Sequence, residues 1–145
     1  MELFFEEYNP YFPETSGADC GHCHGGKNFS SQEYMNNGLD STYNDNGRYD
    51  VTGLESDRGA MKVTTLRNIE LTAPYMHDGR FKTLEEVIDH YNEGLRYNAS
   101  LDPALAMTMG TGLMLNGTDK AALIAFLRTL TDSILIQDSR YASPF

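Results

Sequence analysis

Apolar positions in this chain gather into a few stretches separated by long polar ones. The opening, residues 1–19, is aromatic and broken by proline, with Phe4, Phe5, Tyr8, Tyr11 and Phe12 around Pro10 and Pro13. It predicts a short helical turn and then a loop packed on the rest of the molecule. Further on, Leu84, Val87, Ile88, Tyr91 and Leu95 recur at the spacing of one helix face. Thr83, with Glu86 three residues later, has the form of a capping box, and Gly94 marks the close. On that helix Tyr91 is expected to point inward, and His90, about 100° around the axis, to point away. The last helix is expected from about Thr118 to Leu130, with Leu123, Phe126, Leu127 and Leu130 on its inner face.

The stretches between are less patterned. Residues 28–62 are rich in Asn, Asp, Gly and Ser with no sustained period, which predicts a long loop with one helical turn near 31–36. Loops of that length in compact domains are usually functional. Residues 98–115 hold Asp102-Pro103 and then Met107, Met109 and Met114, read as a short helix followed by a loop. The tail, Gln137 to Phe145, is polar and expected to be extended, and no segment alternates convincingly as a strand. The fold expected is mainly α: a single domain over residues 1–145, with 1–19 as a lead-in and 133–145 as a C-terminal tail.

Composition narrows the partners. The chain has 145 residues and a formal net charge of −10. That length suits one domain able to enclose a cofactor. So acidic a surface repels nucleic acid, and a protein partner with a basic docking face fits better. No run approaches 18 apolar residues, so no membrane-spanning helix is expected.

The chemistry centres on Cys20-Gly21-His22-Cys23-His24, closed by Gly25 and Gly26. A C-x-x-C-H sequence is the attachment signature of c-type haem. On one helical turn the thiols at i and i+3 share a face and can both reach the haem vinyl groups. His24 is then placed to ligate the iron, with its other ring nitrogen held by a backbone carbonyl. Zinc would need four ligands, and adjacent Cys23 and His24 serve one ion awkwardly. A redox dithiol would need a βαβ context that is missing. With only two cysteines there is no disulfide framework. The expected cofactor is therefore one covalent haem c. Such haem is attached outside the cytoplasm, which implies a periplasmic or other extracytoplasmic site. Met1-Glu2-Leu3-Phe4-Phe5 lacks a basic, apolar leader, so the sequence is expected to be a mature form or a fragment.

Several segments beyond the motif form a familiar series. Met61-Lys62-Val63-Thr64-Thr65-Leu66-Arg67-Asn68 is followed by Thr72-Ala73-Pro74-Tyr75-Met76-His77-Asp78-Gly79, then Thr83-Leu84-Glu85-Glu86, then His90-Tyr91-Asn92-Glu93-Gly94. Leu123 to Asp132 completes the order. From Leu3 to Asp132 the chain resembles the bacterial dihaem cytochrome c peroxidases and their MauG-type relatives. The similarity is to one haem domain, the C-terminal one that receives electrons. Thr64 departs from the proline usual in that family. Nineteen residues ahead of Cys20 are too few for another haem domain, so either half of a larger protein or a stand-alone monohaem relative is expected.

The resemblance implies further roles. The second axial ligand matches Tyr91, in the manner of MauG-type proteins; the classical peroxidases have methionine there. From the residues alone Tyr91 reads rather as a core tyrosine with a satisfied hydroxyl, and Met76, Met107, Met109 and Met114 compete with it. A tyrosinate ligand favours ferric iron and a low potential, whereas a thioether raises it. From residue chemistry, Arg67 is expected to pair with a haem propionate, the alternative being a surface arginine, and His77 reads equally as a residue near the propionates or a domain interface and as a structural hydrogen-bonder. His22 is expected to face solvent. Carbonyls at Thr72 and Pro74 match positions that help bind calcium between domains, the remaining ligand coming from the other domain. The acidic stretch Asp40, Asp45, Asp50, Asp57 fits no EF-hand.

The leading functional expectation is electron transfer, to a redox partner or a second haem domain of a peroxidase-like assembly. The alternatives are a haem that itself reacts with peroxide, which needs an open or displaceable iron position, and an interaction domain stabilised by haem.

Overall fold

The computed structural model describes residues 1–142. Its helices are α1 (Glu2–Phe5), α2 (Cys20–Cys23), α3 (Tyr49–Thr52), α4 (Leu84–Asp89), α5 (Pro103–Met107), α6 (Gly117–Arg128) and α7 (Ser133–Gln137). Two-residue strands β1 (Tyr34–Met35) and β2 (Met61–Lys62) pair antiparallel, with Tyr34 opposite Lys62 and Met35 opposite Met61. The domain is mainly α with long connections, as its sequence pattern implies.

Local sequence accounts for the two well-defined helix starts. At α4, Glu86 N donates to Thr83 Oγ1 at 3.2 Å and Thr83 N to a Glu86 carboxylate oxygen at 3.0 Å, the reciprocal bonds of a capping box. At α6, Asn116 Oδ1 accepts from Thr118 N and Asp119 N, and Asp119 accepts from Asn116 N. Helix α6 then buries Leu123, Ile124 and Leu127 against α4, α1 and the 3-10 turn Ile69–Leu71. The core joins these to Phe4, Tyr8, Tyr75, Leu84, Ile88, Leu113, Leu115 and Leu130. Phe4, 1% exposed, is its most buried large side chain. It meets Phe5, Phe29 and Phe126 at centroid separations of 4.9, 6.1 and 5.0 Å, so the lead-in is built into the core.

The expected one-turn helix at 31–36 is a strand instead. The helical turn of this loop lies later, at α3, and ends on Gly53. What holds the loop is a network of polar side chains. Buried Asn36 donates from Nδ2 to Asn98 Oδ1 at 3.1 Å and Ser100 Oγ at 3.0 Å, and accepts from Gly38 N at 2.9 Å. Asn98 donates to the Asp40 carbonyl at 3.0 Å, and the Tyr43 hydroxyl meets Ser100 Oγ at 3.0 Å. Among the described residues no buried side-chain polar atom lacks a partner, so this network stabilises rather than strains. The tail also departs from the extended form expected: Ser139–Tyr141 makes a 3-10 turn. Residues 143–145 lie outside the described part.

Helix α4 does not simply stop. It widens into a π-turn over His90–Gly94. Single π-turns inside helices are uncommon and often mark functional positions. Here the carbonyl of Asn92 accepts from Leu113 N at 3.0 Å, and its side-chain Oδ1 accepts from Leu115 N at 2.9 Å. The 112–115 segment thus takes up hydrogen-bonding capacity at the wide turn. Gly112 is required at that approach, because it has φ +69° and an added Cβ would sit 2.1 Å from the Asn92 carbonyl oxygen.

Candidate functional site

Helix α2 is one turn long, so Cys20 and Cys23 sit at i and i+3 on one face. Both are free and half-buried. Cys20 packs against the core cluster, and Cys23 Sγ lies 3.1 Å from Met35 Sδ on β1. Burial pushes both thiols up to about 12, with Asp19 adding to the effect at Cys20 and Asp102 at Cys23. They are neutral thiols at physiological pH.

His24 follows directly. Its Nδ1 lies 3.2 Å from the Phe29 carbonyl oxygen. A carbonyl only accepts, so Nδ1 carries the proton and Nε2 keeps its lone pair. Burial lowers the His24 pKa, partly offset by the Phe29 and Thr64 carbonyls. A neutral imidazole oriented by a backbone carbonyl has the chemistry a metal ligand needs.

The loop that supplies the Phe29 carbonyl is itself held. Arg67 donates from Nε to the Lys27 carbonyl at 3.1 Å and again from Nη2, and Thr65 Oγ1 bonds the Asn28 carbonyl. The Arg67 guanidinium carbon stands 5.9 Å from the centre of the Phe29 ring. Arg67 is exposed, and its donors are engaged with loop backbone.

Tyr91 packs on the same core cluster as Cys20. Its hydroxyl is pushed up to about 12, chiefly by burial; the Asn37 side chain opposes this, while Cys23 and Cys20 add to it. The tyrosine and the two cysteines therefore share one electrostatic environment. His90 corrects an expectation, being 5% exposed and not outward-facing. Its Nε2 donates to the Asn37 carbonyl at 3.0 Å, and its ring packs on Phe81 and Tyr91 at 5.7 and 5.1 Å. The Asn37 segment and Phe81 cover this side of the helix, which is why His90 is buried.

The remaining candidates are scattered. Met107, Met109 and Met114 are 53, 36 and 51% exposed, whereas Met76 is half-buried and accepts from Asn37 Nδ2 at 3.3 Å. His77 is exposed and borders a polar cleft with Asn37, Asp40, Tyr43 and Met61. His22 is exposed, as expected. Thr72 and Pro74 are exposed. Their two carbonyls fall short of the six to eight oxygens calcium takes. Among the described residues no group of three or more His, Cys, Asp or Glu could hold a metal. Asn37, Met35 and Phe29 escaped the sequence reading. Two meet the site through loop backbone or an amide, which no periodicity announces.

The donor set fits a c-type haem: paired thiols on one turn, an adjacent neutral histidine and a tyrosine packed beside them. No family model matches the sequence. The chain is 36% identical over 130 residues to the cytochrome c551 peroxidase of Nitrosomonas europaea, covering 87% of this chain and 33% of that protein. It is 34% identical over 118 residues to the methylamine utilization protein MauG of Methylorubrum extorquens, covering 80% of this chain and 32% of MauG. The crystal structure of a MauG-like protein associated with microbial copper homeostasis superposes with a TM-score of 0.71 at 38% identity, covering 99% of this chain and 51% of that one. The chain belongs to the dihaem cytochrome c peroxidase and MauG family. It spans about a third of the length of these curated relatives and about half of the solved MauG-like chain. As a haem protein of this family it has the cytochrome c-like fold expected from its sequence. Among the described residues no helix is long and apolar enough to cross a membrane.

Proposed function

We propose that this chain carries one haem c, bonded through Cys20 and Cys23 and ligated by His24 and Tyr91. On this reading it serves as the electron-accepting, C-terminal-type half of a dihaem peroxidase-like protein in the periplasm. The observation that carries the proposal is that Cys20 and Cys23 share one helical turn ahead of a carbonyl-held His24, with Tyr91 packed on the same core cluster as Cys20. Haem, when bound, supplies one-electron chemistry at its iron. The protein's part is to orient the site. The Phe29 carbonyl fixes the His24 tautomer, and the Phe29 ring packs with Phe4 in the core behind that loop. An anionic oxygen ligand from Tyr91 favours ferric iron and a low potential.

With His24 and Tyr91 both holding the iron, no protein-free position would be offered to peroxide, which supports electron relay over direct reaction with it. The partner on this reading is a second haem domain or a redox protein with a basic face. Calcium, if bound through Thr72 and Pro74, needs ligands from outside this chain.

The test is intact mass and a pyridine-haemochrome count on natively purified protein, with cyanide titration of the ferric form. One haem per chain and slow or absent cyanide binding are expected. Haem-free protein would overturn the attachment, and rapid cyanide binding to a high-spin ferric form would move the function to peroxide chemistry.

A further inference from the structure

We propose that the surface over the Cys20–Cys23 turn docks an electron-donor protein by that partner's acidic face, with Lys27, Lys62 and Arg67 supplying the positive charge. This rests on the haem assignment above and goes beyond it.

Two strips of chain are sewn over the attachment turn. Ser31 N donates to the Cys23 carbonyl at 2.8 Å and Ser30 N to the Gly25 carbonyl at 3.0 Å, which lays residues 25–33 along α2. Residues 62–67 lie beside them. Ser30 Oγ donates to the Val63 carbonyl at 2.8 Å, Val63 N to the Glu33 carbonyl at 2.8 Å and Leu66 N to the Phe29 carbonyl at 3.3 Å. The first strip carries Lys27 and the second Lys62 and Arg67, all three exposed. Arg67 Nε donates to the Lys27 carbonyl at 3.1 Å, so these two stand together. Lys62 is opposite Tyr34 across the β1–β2 pair, and residues directly opposite share a face. Met35, on the other face, meets Cys23 Sγ, so Tyr34 and Lys62 look outward over the thiol.

The charge here runs against that of the whole molecule. The chain has 11 Lys and Arg and a net charge of −10. Among the described residues six of those cations form ion pairs with carboxylates, and Lys27, Lys62, Arg67, Lys82 and Arg96 do not. Three of these five stand on the two strips, which hold one carboxylate, Glu33. Arg48, stacked 4.3 Å from the centre of the Tyr34 ring, adds positive charge at this edge and is shared with Asp57 at 3.2 Å. At physiological salt the screening length is about 8 Å, so a docking partner feels this local charge more than the acidic remainder. A relay needs two partners. The acidic remainder suits the basic-faced one, and this face suits a donor of opposite charge. One electron passes per encounter from the reduced donor, which is oxidised, to the ferric iron, which becomes ferrous, and no bond forms or breaks.

The test is stopped-flow reduction of the haem-loaded full chain by a reduced plant-type ferredoxin, an acidic protein and a strong enough reductant for a low-potential haem. The double variant K27E/K62E is compared with K82E/R96E, which has the same net charge but alters exposed cations elsewhere. At an ionic strength of about 0.15 M, K27E/K62E is expected to lower the second-order rate constant about tenfold and to leave the limiting rate at saturation unchanged. K82E/R96E is expected to leave both near the wild type. Equal losses in the two double variants, or an unchanged second-order constant in K27E/K62E, would overturn the docking face. A loss confined to the limiting rate would make the lysines loop-shaping residues and overturn it too. Should K27E/K62E fail to fold, K27Q/K62Q is expected to lower the second-order constant by a smaller factor, and a wild-type value there overturns the proposal. Each of these outcomes leaves the haem assignment standing; natively purified protein without haem removes that assignment and the docking face with it.

Discussion

His24 Nδ1 and the Phe29 carbonyl oxygen lie 3.2 Å apart, five residues from each other in the chain. The contact makes the orientation of the histidine depend on the shape of a short loop, and that shape depends on Arg67.

Arg67→Gln should therefore loosen the Lys27–Phe29 loop. A charge-assisted bond to a carbonyl is worth about 1.5–3 kcal/mol, and exposure at Arg67 brings the expected loss in denaturant unfolding to about 1 kcal/mol. Pairing with a haem propionate gives a different signature: a midpoint potential that changes its pH dependence, with little effect on the stability of haem-free protein. Unfolding curves of haem-free R67Q set against a potentiometric pH series of the loaded protein separate the two.

Gly112→Ala tests the support of the wide turn. The position has φ +69° and no room for a Cβ beside the Asn92 carbonyl. A non-glycine residue forced into such a conformation costs about 1–3 kcal/mol before any clash is counted. The variant should unfold at clearly lower denaturant, and a midpoint within error of the wild type would contradict the packing described.

Asn98→Ala removes one member of the buried amide network and takes the Asn98 donor from the Asp40 carbonyl and the Asn98 acceptor from Asn36 Nδ2, which keeps Ser100 Oγ and the Arg58 carbonyl. Each unmet buried group costs about 1–3 kcal/mol. Amide hydrogen exchange should rise first at Gly38, whose N–H is held by Asn36 Oδ1. Exchange that rises instead in α6 would place the effect elsewhere.

The capping box gives a pH dependence. Hydrogen bonds from the Lys82 and Thr83 backbone N–H groups hold the Glu86 carboxyl below its usual value. A depressed folded pKa contributes stability above the unfolded value of about 4.3 and loses it as pH falls through the folded one. Glu86→Gln should flatten that part of the stability profile below about pH 4.5, as read by thermal unfolding across a pH series. Thr83→Ala should cost about 1 kcal/mol at neutral pH.

The parts of this molecule that were legible in its sequence are those fixed by near neighbours. Cys20, Cys23 and His24 carry their geometry in their spacing, and Thr83 and Glu86 announce a helix start. The inward face of Leu123 and Leu127 follows from period alone. Other features depend on distant groups. His90 was expected outside because it lies off the apolar face of the helix, and it is buried by groups distant in the chain, the Asn37 carbonyl and the Phe81 ring. The β1–β2 pair is two residues long, too short to alternate, and is flanked by Asn36, whose partners lie 62 and 64 residues away. Polar side chains that bond across a fold leave no hydrophobic trace in the chain.

The π-turn at His90–Gly94 bears on how portable this helix is. Two adjacent letters of the sequence are both covered there, His90 by Asn37 and Phe81 and Tyr91 by the core cluster. That arrangement belongs to a pair of segments, since Asn92 is met through both its carbonyl and its side chain by the strip that follows Gly112. Transplanted alone into a designed scaffold, residues 84–94 would lose both bonds that Leu113 and Leu115 make to Asn92. The smallest unit that can be borrowed with the wide turn supported is the helix together with residues 112–115.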